Sequence, residues 1–441
     1  MHRFALKIFG CQMNVYDGER IAAELFARGW SEAAEEEADA VIYVTCSIRD
    51  KAEQKVKSEL GRHVPKGGGR GPVVAVAGCM AQRIGPELLA RFPQIRVLCG
   101  PRHLGRLADA VEEALADGTP SVLLDEDSRA LDDLDRPPAR RLLPFKSYVT
   151  IAHGCDNFCT YCIVPHVRGR FQSRRPEAIA AEVESLVADG VVEVTLLGQN
   201  VNSYGTDLKD VTFAGLLRSL AGVRGLRRLR FATNHPKDLT DDVISAMADL
   251  PVVCPAINLP LQAGSDRILA LMNRGYDRRT YASRLEALRE ALPEVAVTSD
   301  LIVAFPGERE DDFALSLEAL RLFRFDQVHS AAYSPRPGTA AAAFKERIPR
   351  AEARRRLQAV NDLQLQIARE INATLVGRTF EVLVDGPAHR GDGLLQGRTV
   401  TDKVVLFPGE GLEGRFVDVV IDGADAWSLR GKAVDGGAGG R

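Results

Sequence analysis

Short apolar runs alternate with helical stretches along most of this chain, and no other feature restricts its fold as strongly. In residues 1–125 the runs RFALKIFG, AVIYVTC, PVVAVAGC and IRVLCG read as strands, separated by helical segments such as YDGERIAAELFARG and RDKAEQKVKSEL. The second segment spaces Lys and Glu for a solvated face. Such alternation leads to a parallel sheet with helices on both faces, a doubly wound α/β domain. Residues 126–144 are charged, contain Pro and lack a period, so they read as a linker. From 145 to 372 the alternation resumes in KSYVTIA, VVEVTLLG, LRRLRFAT, VCPAINLP, VAVTSDLIVAF and DQVHSAAY. Its helices are amphipathic: in PEAIAAEVESLVADG, Ile179, Val183, Leu186 and Val187 share a face, and Gly190 suits the stop. Six β/α repeats predict a partial β/α barrel with its site at the C-terminal ends of the strands. In residues 373–436 the runs FEVLVDG, VVLFPG, RFVDVVIDG and WSLRGKAV, broken by Gly-containing turns, predict a small five-stranded β-barrel. A basic amphipathic helix, KERIPRAEARRRLQAVNDLQLQIAREI, precedes it, and the tail DGGAGGR is expected to be disordered.

A length of 441 residues fits three domains at roughly 150 residues each. The 57 Lys and Arg nearly balance the 60 Asp and Glu, which excludes a wholly basic nucleic-acid binder but leaves room for local basic patches. No run approaches the ~18 apolar residues of a membrane span. The start, MHRFALKIFG, is too short an apolar run for a signal peptide, so a cytoplasmic protein is expected. Eight cysteines in a reducing compartment point to metal or catalytic roles before disulfides.

Two cysteine triples stand out. GCDNFCTYC places Cys155, Cys159 and Cys162 in a CxxxCxxC loop just after strand KSYVTIA. Three soft thiolates on one loop can each hold one iron of a 4Fe–4S cube, leaving the fourth iron open for chemistry. The alternative is a zinc knuckle with His153 or His166 as fourth ligand. The second triple is dispersed: Cys11 follows RFALKIFG, Cys46 follows AVIYVT and Cys79 follows VVAVAG. All three lie just past the C-terminal ends of predicted parallel strands, where open α/β sheets gather ligands, so they could hold a second cluster. Cys99 and Cys254 have no such context and read as core residues.

The cysteine loop resembles that of the radical S-adenosylmethionine (SAM) superfamily, and the surrounding sequence resembles one branch of it, the methylthiotransferases. The matching runs are GCQMNVYDGE at 10–19, TCSIRDKAEQK at 45–55, GCMAQR at 78–83, GCDNFCTYCIVPHVRGR at 154–170, LLGQNVNSYG at 196–205 and LPLQAGSDRILALMNRGY at 259–276. GRTVTDKVVLFPG at 397–409 resembles a TRAM domain, an RNA-binding barrel. Gln12-Met13-Asn14 after Cys11 resembles the branch acting on N6-dimethylallyl (isopentenyl) adenosine in tRNA. The threonylcarbamoyladenosine branch usually has Lys there, and the branch modifying a ribosomal-protein aspartate has Pro-Lys-Asn; both remain alternatives. Outside the family, the rival reading is a zinc-dependent RNA-binding adaptor.

The resemblance implies an enzyme that adds a methylthio group at carbon 2 of that adenosine, next to the anticodon. It would use two 4Fe–4S clusters and SAM as cosubstrate. The Cys155/Cys159/Cys162 cluster would bind and cleave SAM to the 5′-deoxyadenosyl radical, and the Cys11/Cys46/Cys79 cluster would supply sulfur. Implied partners are the tRNA anticodon loop, a one-electron reductant such as flavodoxin or ferredoxin, and a sulfur donor, with the chain acting as a monomer. Departures from the family pattern fall at Val44, Asn234, Asn258, Ala263 and Ala304, where Asn, Ser, His, Ser and Gly are usual.

Other residues invite weaker assignments. Gly198 would let SAM approach the backbone closely, with Gln199 and Asn200 offering polar groups, against an ordinary turn. Arg168 and Arg170 could pair with the SAM carboxylate or a tRNA phosphate. Asn234 and His235 could touch substrate or simply cap a helix. Arg350, Arg354, Arg355 and Arg356 form a run that is either a solvated face or a tRNA backbone contact. Phe158 and Tyr161 could stack on a base or pack against their loop.

Overall fold

The computed structural model describes residues 1–47, 50–63, 71–124, 143–388, 391 and 393–434. The expected linker and the C-terminal tail fall almost wholly outside the described residues. The first domain is a six-stranded parallel sheet of β1 (Arg3–Ile8), β2 (Ser31–Glu32), β3 (Ala40–Thr45), β4 (Val73–Gly78), β5 (Ile95–Cys99) and β6 (Ser121–Leu123), in the order β2-β1-β3-β4-β5-β6. Every residue of β3 and β4 is buried, which is why AVIYVT and VVAVAG read as continuous apolar runs. Ile21, Leu25 and Val111 pack on one face of the sheet, while Val56, Leu60, Met80 and Leu88 pack on the other. The domain is therefore doubly wound. The strand order reverses between β1 and β3, and a crevice for ligands is expected beyond the C-terminal ends of strands at such a point.

The second domain carries six parallel barrel strands. β7 (Lys146–Thr150) leads to a short antiparallel pair, β8 (Ala152–His153) and β9 (Gln172–Ser173), that closes the base of the cysteine loop. β10 (Glu193–Leu197) lies between β7 and β11 (Arg228–Phe231), and β13 (Ala296–Val303) lies between β12 (Ala256–Asn258) and β14 (Gln327–Ala332). A bridge between Leu229 and Val253 joins the two halves, so the strands follow sequence order around an open barrel. Ile179, Val183 and Leu186 join the barrel core as their spacing predicts, and Gly190 ends that segment at φ +92°. Glu182 on the same helix is buried too, paired with Arg174, a polar core contact that the apolar pattern did not signal.

The third domain is a closed barrel of β15 (Thr379–Pro387), β16 (Leu394–Arg398), β17 (Val404–Pro408), β18 (Phe416–Ala424) and β19 (Leu429–Ala433). The strand without its own apolar run is β16, where Gly397 sits so close to β15 that a Cβ would overlap the carbonyl of Leu383. Buried Arg228 and Arg230 from β11 donate to the carbonyls of Arg398, Glu381, Thr399 and Val400, docking this barrel on the second domain. Among the described residues no helix is long and apolar enough to cross a membrane.

Candidate functional site

The dispersed cysteines lie along one edge of the first sheet. β1, β3 and β4 are neighbours, and Cys11, Cys46 and Cys79 each follow one of them at the same sheet edge. Cys11 is the N-cap of the helix Gln12–Ala27, one turn earlier than YDGERIAAELFARG suggested, and Cys79 opens the helix Cys79–Arg91. Helix N-termini favour thiolates. A hydrogen bond from Cys46 and the charge of Arg168 bring the Cys11 thiol down to about 6 against the penalty of burial. Burial pushes the Cys79 thiol up. Glycines make this closeness possible. Gly10 holds φ +127°, and a Cβ there would overlap Cys46; Gly78 holds φ +97° against the Thr45 carbonyl.

The second triple is built on the loop between β8 and β9. The Cys155 amide donates to the Gly169 carbonyl at 3.2 Å, and the Cys162 amide to the Cys159 carbonyl at 2.9 Å. Phe158 turns at φ +46° between the cysteines, and Gly154 lies where a Cβ would overlap the Arg170 carbonyl. Thr160 and the carbonyls of Asn157 and Phe158 are tied to residues 271–273. Burial and the neighbouring Cys159 push the Cys162 thiol up to about 12. The two triples adjoin: Cys79 packs with Ile163 and Val167, immediately beyond Cys162.

Each triple has a buried arginine on one sulfur. Arg274 Nη1 reaches Cys159 Sγ at 3.3 Å and the Tyr161 hydroxyl at 3.2 Å. Its Nε donates to the Tyr276 hydroxyl and its Nη2 to the Pro260 carbonyl. Arg168, expected to pair with SAM or tRNA phosphate, lies 4% exposed, with Nε 3.2 Å from Cys79 Sγ and Nη2 3.0 Å from Asp17 Oδ2. Neither Arg274 nor Asp17 was singled out by sequence. The partners of Arg274 and Arg168 lie 115 and 151 positions away in the chain, and no local pattern encodes such pairs.

At the strand ends of the open barrel, polar atoms are buried without hydrogen-bond partners among the described residues. They include both side-chain amide atoms of Gln199, Asn200 Oδ1, Asn234 Oδ1, His235 Nε2 and Gln262 Oε1. Burial, Arg274 and Lys237 bring the His235 imidazole down to about 2, so it is neutral. Unpaired buried polar groups are costly, and their convergence at one mouth suits a polar ligand. Asn200 also donates to Ser203 and Asp238, Asn234 to the Asn258 carbonyl, and His235 caps the turn at Lys237. A Cβ on Gly198 would meet Val201 Cγ1 at 3.3 Å, a tight contact within the turn that follows β10.

The remaining candidates are also placed. Arg170 is exposed, paired with Asp156 and over the Phe158 ring at 5.7 Å. Tyr161 packs against the barrel core. In the arginine run, Arg356 is buried on Glu308 and Arg355 pairs with Glu310 and Glu352, while Arg350 and Arg354 are exposed. His153, one candidate zinc ligand, is buried with Nε2 unpartnered among the described residues, and His166 is exposed. Among the described residues no three His, Cys, Asp or Glu side chains converge as ligands of one metal ion. Three thiols on one loop with a guanidinium on one of them suit an iron–sulfur centre.

The sequence is similar to known families. Residues 149–320 match the model of the Radical SAM superfamily, residues 3–100 that of Uncharacterized protein family UPF0004, and residues 373–434 that of the TRAM domain. A tRNA-2-methylthio-N(6)-dimethylallyladenosine synthase from Moorella thermoacetica is 45% identical, over 98% of both chains. One from Geobacter metallireducens is 46% identical over 94% of this chain and 95% of its own. In fold, the chain is similar to the radical S-adenosylmethionine methyltransferase TsrM from Kitasatospora setae. The TM-score is 0.56 at 14% identity, covering 88% of this chain and 79% of that one.

Proposed function

The chain belongs to the tRNA-2-methylthio-N(6)-dimethylallyladenosine synthase family, and from that premise we propose that it methylthiolates carbon 2 of N6-dimethylallyladenosine beside the tRNA anticodon, using two 4Fe–4S centres. In coarser terms it is a radical SAM tRNA methylthiotransferase, a transferase of sulfur-containing groups. When bound, these groups supply the reductive cleavage of SAM to a 5′-deoxyadenosyl radical and the sulfur that is inserted. Cys155, Cys159 and Cys162 would hold one centre, and Cys11, Cys46 and Cys79 the other. Gln199, Asn200 and His235 would supply hydrogen bonds to the cosubstrate at the barrel mouth, His235 through its neutral ring. The third domain would hold the RNA, as a TRAM domain suggests. A low-potential one-electron reductant such as flavodoxin or ferredoxin and a sulfur donor complete the requirements.

The observation that carries this reading is the nearness of the sheet edge bearing Cys11, Cys46 and Cys79 to the cysteine loop of the barrel, with Cys79 packed on Ile163 and Val167 just beyond Cys162. A target base in a single-stranded loop can reach such a site without opening a duplex. The test is iron, sulfide and zinc content after anaerobic reconstitution, followed by nucleoside analysis of tRNA. About eight irons and eight sulfides per chain are expected, with a methylthio product that appears only when the dimethylallyl group is present. About four irons would remove the second centre, and stoichiometric zinc with little iron would favour the RNA-binding adaptor. A product formed on threonylcarbamoyladenosine would move the enzyme to that branch.

A further inference from the structure

We propose that Arg274 and Arg168 are positioning residues that set the reduction potentials of the two centres, each through one hydrogen bond to one cysteine sulfur. The assignment rests on the two-centre reading above. A buried guanidinium needs an anion or the strain of burial goes uncompensated. Arg274 is 5% exposed, and its hydrogen-bond partners are two tyrosine hydroxyls, the Pro260 carbonyl and Cys159 Sγ. No carboxylate stands among these partners, so the anion it faces is the sulfur and whatever charge that sulfur shares. Both hydrogens of Nη1 are used, one on Cys159 and one on Tyr161, which fixes the fork in place.

Arg168 differs in one respect. Its Nε donates to Cys79 Sγ, but its charge is already matched by Asp17 through Nη2. It reaches there from just beyond Cys162, so it also ties the loop of one triple to a sulfur of the other. Reduction adds one electron to a centre, and the added negative charge is shared by its sulfurs. A hydrogen bond and a positive charge at a sulfur stabilise that reduced form and raise the potential. The uncompensated Arg274 should therefore act more strongly than Arg168.

The experiment uses full-length chain, reconstituted without oxygen and titrated electrochemically with detection by electron paramagnetic resonance. Substituting Cys11, Cys46 and Cys79 by Ala isolates the barrel centre. In that background Arg274→Gln should lower the reduced-to-oxidised ratio at fixed potential at least tenfold, a 59 mV shift for one electron. Arg274→Lys, which keeps the charge and loses the fork, should fall between. With Cys155, Cys159 and Cys162 replaced instead, Arg168→Gln should shift the remaining centre in the same direction by less. Unchanged potentials at full iron content, even with a lowered melting temperature, would make both arginines structural and overturn the assignment. Failure of the unsubstituted chain to hold about eight irons would instead overturn the two-centre reading, and this inference with it.

Discussion

Cys155, Cys159 and Cys162 share one loop, held by its own backbone, by the two short strands at its base and by hydrogen bonds to residues 271–273. Cys11, Cys46 and Cys79 come together only because β1, β3 and β4 lie side by side and end at one edge. The first arrangement is local and the second is a property of the whole sheet. They solve their steric problem only partly alike. Both hold glycines at positive φ where segments touch, Gly10 and Gly78 at the sheet edge and Gly154 and Gly169 in the loop, but around the barrel mouth Phe158, Thr233, Gln262 and Ala304 carry that conformation with side chains as well. Strained backbone of this kind collects at functional sites, where surrounding contacts over-determine it.

The sharpest way to break the comparison is to remove one triple at a time. Replacing Cys155, Cys159 and Cys162 by Ala should reduce 5′-deoxyadenosine formation from SAM to background. Replacing Cys11, Cys46 and Cys79 should leave SAM cleavage and abolish the methylthio product. Chromatography of the deoxyadenosine and mass spectrometry of the nucleosides read both outcomes. Loss of cleavage in the second set, with the barrel iron retained, would end the division of labour between the two triples.

Glycine substitutions separate local from sheet-wide assembly. Gly10→Ala forces a Cβ into Cys46 at a φ that L residues avoid, and should halve the iron to about four per chain while sparing SAM cleavage. Gly154→Ala drives a Cβ into the Arg170 carbonyl and should remove the other half, together with cleavage. Equal losses in the two variants would mean that the triples do not assemble independently. A smaller effect is expected from Asp17→Ala, which leaves the Arg168 charge buried opposite Cys79 with its carboxylate gone. Breaking a buried pair in this way costs about 3–5 kcal/mol, measurable by chemical denaturation.

The contrast between the triples also explains what could be read from sequence. The CxxxCxxC spacing announces itself within one loop, and the six barrel strands and the four inner strands of the first sheet follow from their alternating patterns, whereas its edge strands β2 and β6, two and three residues long, are too short to carry one. Cys11, Cys46 and Cys79 could be grouped only through the rule that parallel sheets gather ligands at their C-terminal edge. Arg274 and Asp17 carry no sequence signal because the contacts that matter, to Cys159 and Arg168, are distant in the chain, and Arg168 itself pairs with Asp17 and Cys79. The arginine run was legible as charge but not as geometry: Arg356 turns inward to Glu308, while Arg350 stays in solvent.

The departure at Ala304 gives the mildest test. Glycine is usual there in the family, and the backbone adopts φ +57°, a conformation that glycine enters freely and alanine does not. Its amide is held by the Glu308 carboxylate, which is itself anchored by Arg356, so the turn is enforced from outside rather than chosen by the residue. Ala304→Gly should relieve that strain, and glycine's greater freedom in the unfolded chain offsets part of the gain. The net stabilisation is expected at about 0.5–1 kcal/mol, read as a small rise in the denaturation midpoint with iron content unchanged. The opposite sign would mean that the contacts around Glu308 favour the alanine methyl. The barrel mouth would then be tuned by its side chains at positive φ, where the sheet edge depends on having none.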